Sequence, residues 1–300
     1  MSENTQITPL KAFNQVLMNP KTKNYLSEML GKKSDQYVNN IAALVGNDKK
    51  LQECEPMSVI MAGIKATALD LPLDNNLGFA YVIPFKDRKN NTTLAQFQLS
   101  YKGFIQLAMR SGAFKTINTT DVKEGEIIST DFLSGENVYK RLPEEERLKA
   151  KTIGYVAYFK LLSGFEKSLY MSIEEIKAHA KQYSQTYKQG FGIWVDNFEQ
   201  MALKTPLKRL LSKYAPMSVE MKNAIMADQT IRRDIDAEDE FADNEKEPTE
   251  KEIEIARQIT EKFGNKIKVD DIPATNFEEV GKTDSAQTEN PELFKEQPKK

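Results

Sequence analysis

Cysteine and histidine are nearly missing from this chain: Cys54 and His179 are the only ones in 300 residues. One cysteine excludes an intramolecular disulfide and suits a reducing compartment. A zinc site needs about four N, S or O ligands at suitable spacing, and neither a CxxC nor an HxH pair is present. His179, between alanines in "EEIKAHAKQY", reads as a surface or helix-packing residue rather than a ligand or base. Cys54 reads as a small packed residue, because no histidine partner is suggested. A GxxxxGK[ST] loop is missing, which argues against P-loop ATP hydrolysis, and so is GxGxxG. No carboxylate cluster suggests a Mg²⁺ nuclease. Glu175-Ile176-Lys177 spells ExK but falls inside a helix. No apolar run approaches the ~18 residues of a membrane span. The opening "MSENTQITPL" lacks the basic and apolar regions of a secretory signal. The expectation is a soluble cytoplasmic protein with no metal, no cofactor and no catalytic constellation.

What is present is an uneven charge. Residues 229–300 hold 12 basic and 20 acidic residues, a net of −8, so residues 1–228 carry +6 of the total of −2. A mildly basic body with an acidic tail suits a protein that meets a polyanion. Ordinary surface charge with a solubilising tail remains the alternative at this point.

The pattern along the chain predicts an α+β body. Residues 1–34 are weakly patterned, apart from helical spacing around Asn24–Leu30. Asp35–Leu44 places Val38, Ile41, Ala42 and Val45 on one helical face, and "PMSVIMAGIKATAL" (56–69) reads as a buried helix with Pro56 near its start. Residues 79–85 and 94–99 predict a β-hairpin with one wet face. Further strands are expected at Ala113–Val122, Ile127–Phe132, Ile153–Leu162 and Lys167–Met171. Ser172 and Glu175 form a capping box that opens a helix. Together these predict an antiparallel, meander-like sheet and hairpin body flanked by helices. From about Arg232 an acidic stretch reads as a flexible linker. A second capping box, Thr249 and Glu252, opens a short helix to Phe263 within the acidic tail.

The densest signal is "WVDNFEQMALKTPLKRLLSKY", residues 194–214. Leu203, Leu207, Leu210, Leu211 and Tyr214 form a core-facing stripe. Lys204 and Lys208 are four apart, as are Arg209 and Lys213, so the other face is expected to be a four-cation ridge. No acidic residue four positions away neutralises it. Pro206 either kinks this helix or starts a new one capped by Thr205. Tyr183, Tyr187, Phe191 and Trp194 precede the ridge and could stack on bases, with core packing as the alternative for each. Such a ridge suits a phosphate backbone. The residues alone point to a binder of single strands or of a nucleic-acid backbone.

Four stretches in this order carry a resemblance: "LQECEPMS" (51–58), "LGFAYVIPF" (77–85), "YKGFIQLAMRSG" (101–112) and "WVDNFEQMALKTPLKRLLSKYAP" (194–216). Over about residues 35–230 the chain resembles the RecT family of phage single-strand annealing recombinases. It departs from the family pattern at Asp70 and Ser100, where glycine is usual, at Phe79, where the family has histidine, and at Pro206, where it has alanine. The resemblance implies ATP-independent annealing of complementary strands and homo-oligomeric rings or helical filaments. It also implies a phage 5′→3′ exonuclease as partner and a C-terminal region able to contact host single-strand-binding protein.

The resulting division is a weakly ordered segment (1–34), a DNA-binding, annealing and oligomerisation core (35–230), an acidic linker (231–248) and a partner-interaction region (249–300). The expected DNA-binding residues are Tyr101, Lys102, Arg110, Lys188, Trp194, Lys204, Lys208, Arg209 and Lys213. Lys102 and Arg110 would hold phosphates from the sheet side of a groove that Lys204, Lys208 and Arg209 line from the helix side. The expected ligands are single-stranded DNA and the annealed duplex intermediate; no membrane is involved. About four phosphate contacts predict a log–log salt slope near −3 for single strands. The rival readings are a Mg²⁺-dependent recombination nuclease and a structural oligomer with incidental DNA binding.

Overall fold

The computed structural model describes residues 8–87, 90–131 and 133–242. Helices α1 (Pro9–Leu17) and α2 (Pro20–Leu30) open the described chain, followed by α3 (Ser34–Asn47), α4 (Lys49–Gln52) and α5 (Pro56–Ala68). Strands β1 (Ala80–Asp87) and β2 (Thr92–Leu99) form a hairpin that leads into α6 (Tyr101–Arg110). Then come β3 (Phe114–Lys123), β4 (Ile127–Asp131), β5 (Glu136–Tyr139), α7 (Glu144–Lys149), β6 (Thr152–Leu161) and β7 (Glu166–Ser172). The last elements are α8 (Ile173–Tyr183), α9 (Gln185–Lys188), α10 (Ile193–Asp196), α11 (Phe198–Tyr214), α12 (Val219–Ala227), β8 (Thr230–Ile231) and β9 (Glu240–Phe241). The expected α+β class is the observed one.

Local chemistry explains the helix starts. Thr8 and Asn19 accept from backbone amides of α1 and α2, and each is followed by a proline, whose missing N–H is harmless there. Residues 8–34 therefore differ from their weak pattern: α1 and α2 bury Phe13, Leu17 and Leu26 in the main core. Ser172 and Glu175 form the expected reciprocal capping box of α8. Ser100 caps α6 by accepting from the Gly103 amide at 3.1 Å, and its hydroxyl donates to Gly78 O at 2.6 Å. A side chain on Gly103 would lie 2.3 Å from Phe79 O, so this helix start tolerates glycine alone.

The strands do not form one meander. Three antiparallel sheets are present among the described residues: β1-β2-β8-β9, β3-β6-β7 and β4-β5. Strand β2 sits between β1, paired from Ala80↔Leu99 to Asp87↔Thr92, and β8, paired at Gln96↔Ile231 and Phe97↔Thr230. The wet face expected for the hairpin is absent from β2, because Gln96 and Gln98 are buried together with Phe97 and Leu99. The Gln98 amide points at the Met201 sulfur, 3.1 Å away, so α11 covers the face that the alternation had left to solvent.

The first part of the expected flexible linker is bound to the body. Arg233 pairs with Asp87 at 2.8 Å, Asp236 with Lys21 at 3.3 Å and Asp239 with Lys65 at 2.7 Å. Strand β9 adds an edge to the first sheet through Thr230↔Phe241. The rest of the linker and the helix expected at Thr249–Phe263 lie outside the described residues, as do Arg88 and Lys89 of the hairpin loop. Among the described residues no helix is long and apolar enough to cross a membrane.

Candidate nucleic-acid interface

Helix α11 organises the site. Its leucine stripe is as expected: Leu207, Leu210 and Leu211 are fully buried, and Leu203 and Tyr214 are partly buried against the core clusters. Pro206 lies inside one continuous helix, and Thr205 is no cap, since its hydroxyl donates to Met201 O at 2.8 Å.

The four-cation ridge is not what the other face presents. Lys204 is buried, with 4% of its side chain exposed, and its ammonium donates to Asp228 Oδ1 at 2.7 Å. Lys208, a quarter exposed, donates to Asp228 Oδ2 at 2.7 Å. Asp228 caps the C-terminus of α12 and is fully buried; it also accepts from the Leu99 amide at 2.9 Å. The neutralising acid is thus 20 to 24 residues away in sequence, beyond the reach of a search along one helix. Burial works against the Asp228 carboxylate, but the two ammonium groups outweigh it and hold its pKa below the usual range. One carboxylate shared by two cations returns less to each, so burial pushes Lys204 down to about 8. Lys204 is a buried cation committed to its pair with Asp228, not part of an exposed ridge.

Arg209 and Lys213 are exposed, as expected. The Arg209 guanidinium reaches the Met171 sulfur at 3.7 Å and has no acidic partner among the described residues, and the Lys213 ammonium stands 5.0 Å from the Tyr214 ring centroid. A cleft of about 260 Å³ opens beside them, lined by His179 and Tyr183 of α8, Trp194 of α10, Lys204, Lys208, Arg209 and Ser212 of α11, Gln229, and Phe241 of β9. Three cations less one carboxylate leave this cleft at +2 with His179 uncharged. His179 is uncharged because burial, reinforced by Arg209 and Lys208, pushes its pKa down to about 4.

The remaining expected contacts fall elsewhere. Trp194 is 3% exposed and packs with Tyr187 and Phe198 at ring distances of 6.2 Å, so it is core to the cleft wall and not a stacking platform. Tyr101 is half-buried against the main core. Arg110 donates to Leu69 O at 2.6 Å and Asp70 O at 3.0 Å, and so closes the C-terminus of α5. Asp70 itself has φ +54°, the left-handed conformation that favours glycine, and is held by Lys33 at 2.8 Å. Lys102 on α6 and Lys188 at the end of α9 are exposed, with no partner for their ammonium groups among the described residues. None of Tyr101, Lys102, Arg110, Lys188 and Lys213 lines the cleft, so α6 and α11 do not face each other across it.

Asp228, Gln229 and Phe241 went unrecognised in the sequence. Their only signal there was a lone acid after an apolar helix and one aromatic in an acidic stretch, and neither pattern names a partner.

A model of the RecT family matches residues 35–247. A protein of Bacillus subtilis (strain 168), uncharacterized protein YqaK, is 38% identical over 266 residues, covering 86% of this chain and 89% of its own length. Protein RecT of Escherichia coli (strain K12) is 32% identical over 194 residues, covering 63% of this chain and 69% of its own length. The chain belongs to the RecT family, whose members are single-strand annealing proteins of DNA recombination.

Proposed function

We propose that this protein binds single-stranded DNA and anneals complementary strands without ATP, as a homo-oligomeric ring or filament. The observation that carries the reading is the +2 cleft beside α11, with Arg209 and Lys213 exposed along its helix. Lys188 of α9 and Lys102 of α6 extend the supply of exposed cations. These contacts go to phosphates, so they hold a strand without reading its sequence. A second strand samples register against the exposed bases and zips where it is complementary. Each stacked base-pair step supplies about 1.4 kcal/mol, so pairing itself drives the reaction. A phage 5′→3′ exonuclease would generate the strands in the bacterial cytoplasm, and the region 249–300 would meet host single-strand-binding protein.

The test is annealing of two complementary oligonucleotides without nucleotide cofactor, for wild type and for Lys188→Ala/Arg209→Ala/Lys213→Ala. Wild type should accelerate annealing and leave both strands intact. The triple variant should anneal more slowly, with a log–log salt slope shallower by about 2. A wild type that is inert at every concentration, or that cuts the strands, overturns the reading.

A further inference from the structure

Backbone contacts alone would leave every base exposed, yet the cleft is built for more than phosphate. Its rim carries two exposed aromatic rings from different elements, Tyr183 of α8 (47% exposed) and Phe241 of β9 (51%). Behind Tyr183 lies the His179 ring, 4.6 Å away between centroids. Gln229 also lines the cleft, and its side-chain amide has no hydrogen-bond partner among the described residues. Its backbone is held at φ +69°, unusual for a glutamine, by its own N–H donating to Phe97 O (2.9 Å) and by the Ala242 amide donating to its carbonyl (3.2 Å). The side-chain amide of Gln229 presents one acceptor and two donors, which suits the hydrogen-bonding edge of a nucleobase. Lys208 and Arg209 stand on the same wall.

We infer that this cleft receives a single unstacked nucleobase of the bound strand, flanked by the Tyr183 and Phe241 rings, met at its edge by Gln229, with its phosphate on Arg209 and Lys208. The inference rests on the single-strand binding proposed above and deepens it: about one base per protomer is sequestered while its neighbours stay free to pair. The cleft volume, about 260 Å³, lies just below the usual range of ligand pockets and suits one base rather than a stacked run. An uncharged His179 keeps the inner wall aromatic rather than cationic, so the rings offer stacking faces to any of the four bases.

The chain has one tryptophan, Trp194, and it lies in the cleft wall, so its emission reports occupancy. The experiment titrates full-length protein with a thymidine oligonucleotide and with an abasic oligonucleotide of equal length and charge. Wild type should bind the thymidine strand roughly tenfold more tightly, with quenching of Trp194 that the abasic strand does not produce. Phe241→Ala and Gln229→Gly should each lose most of that preference while binding the abasic strand as wild type does. Glycine retains the backbone conformation of residue 229, and the abasic titration checks that each variant is folded. Equal wild-type affinity for the two strands overturns the inference and leaves the proposed function standing. A preference that survives both substitutions also overturns it, because the base is then held elsewhere. Binding of neither strand removes the proposed function with it.

Discussion

Replacing Asp228 by asparagine tests the buried triad. The variant keeps an acceptor for the Leu99 amide and removes the charge opposite Lys204 and Lys208. The Lys204 component follows from its pKa, about 8 folded against 10.5 unfolded. At pH 7 that depression already costs the fold about 3 kcal/mol, at 1.36 kcal/mol per pKa unit. Without Asp228 the buried amine is neutral at pH 7, and the cost approaches about 5 kcal/mol, a further loss on the order of 1–2 kcal/mol. Losing the carboxylate's own favourable pairing brings the expected total to about 3 kcal/mol, at the low end of the usual range for breaking a buried pair. The sign with pH is fixed. Between pH 8 and 10.5 the unfolded chain binds more protons at Lys204, so wild-type stability rises through that window on this group's account. By pH 9.5 Lys204 is neutral in both proteins, and the gap should narrow by about 1–2 kcal/mol. Urea unfolding followed by Trp194 fluorescence at the two pH values measures both terms. The double variant Lys204→Met/Asp228→Asn should recover most of the loss, since matched apolar replacement of a buried pair is often neutral. A loss under about 1 kcal/mol at pH 7, or a gap unchanged at pH 9.5, refutes the reasoning.

Arg209→Ala should lower single-strand affinity about evenly across sequences and make the salt slope shallower by about 0.7, whereas Arg110→Ala should leave that slope alone and destabilise the fold by about 1.5–3 kcal/mol through the carbonyls it leaves unmet; filter binding over a salt series and urea unfolding separate the two. Asp70→Gly and Asp70→Ala both lose the Lys33 pair, but only alanine keeps a side chain at φ +54°, so thermal unfolding should place alanine about 1 kcal/mol below glycine; equal stabilities would show that this turn carries no strain. His179, folded at about 4 against 6.5 unfolded, contributes stability that is fully present above pH 6.5 and lost as the pH falls toward 4, so His179→Phe should flatten the stability profile across that interval. An NMR titration should show the His179 midpoint near 4, rising when a phosphate backbone neutralises Arg209 and Lys208.

Local patterns were legible wherever the physics is local. The capping box at Ser172, the leucine stripe of α11 and the strands β1, β3, β6 and β7 each depend on residues within a few positions. What escaped depends on distant partners. Gln96 and Gln98 alternate with apolar residues as on a solvated face, yet both are buried, and α11 meets Gln98 from a hundred positions away. Lys204 and Lys208 share the spacing of Arg209 and Lys213, and Asp228, at the end of another helix, decides which two are paired with an acid. The N-terminal helices are short, and their caps, Thr8-Pro9 and Asn19-Pro20, were stronger signals than their apolar spacing. The cleft lies where α8, α10, α11 and β9 meet, so no single stretch of chain could announce it.

The position of β2 also sets an order of events in biosynthesis. Its second neighbour, β8, is a two-residue strand whose Ile231 pairs with Gln96. While the intervening segment is translated, on the order of ten seconds at bacterial rates, β2 has an open edge and α11 lacks its buried counter-ion. The nascent body is therefore incomplete until α12 has followed it out of the ribosome, and a chain stopped after α11 would expose a strand rich in Phe97 and Leu99 to its neighbours. In cells, premature termination between α11 and β8 should yield insoluble product rather than a shortened, working annealing protein.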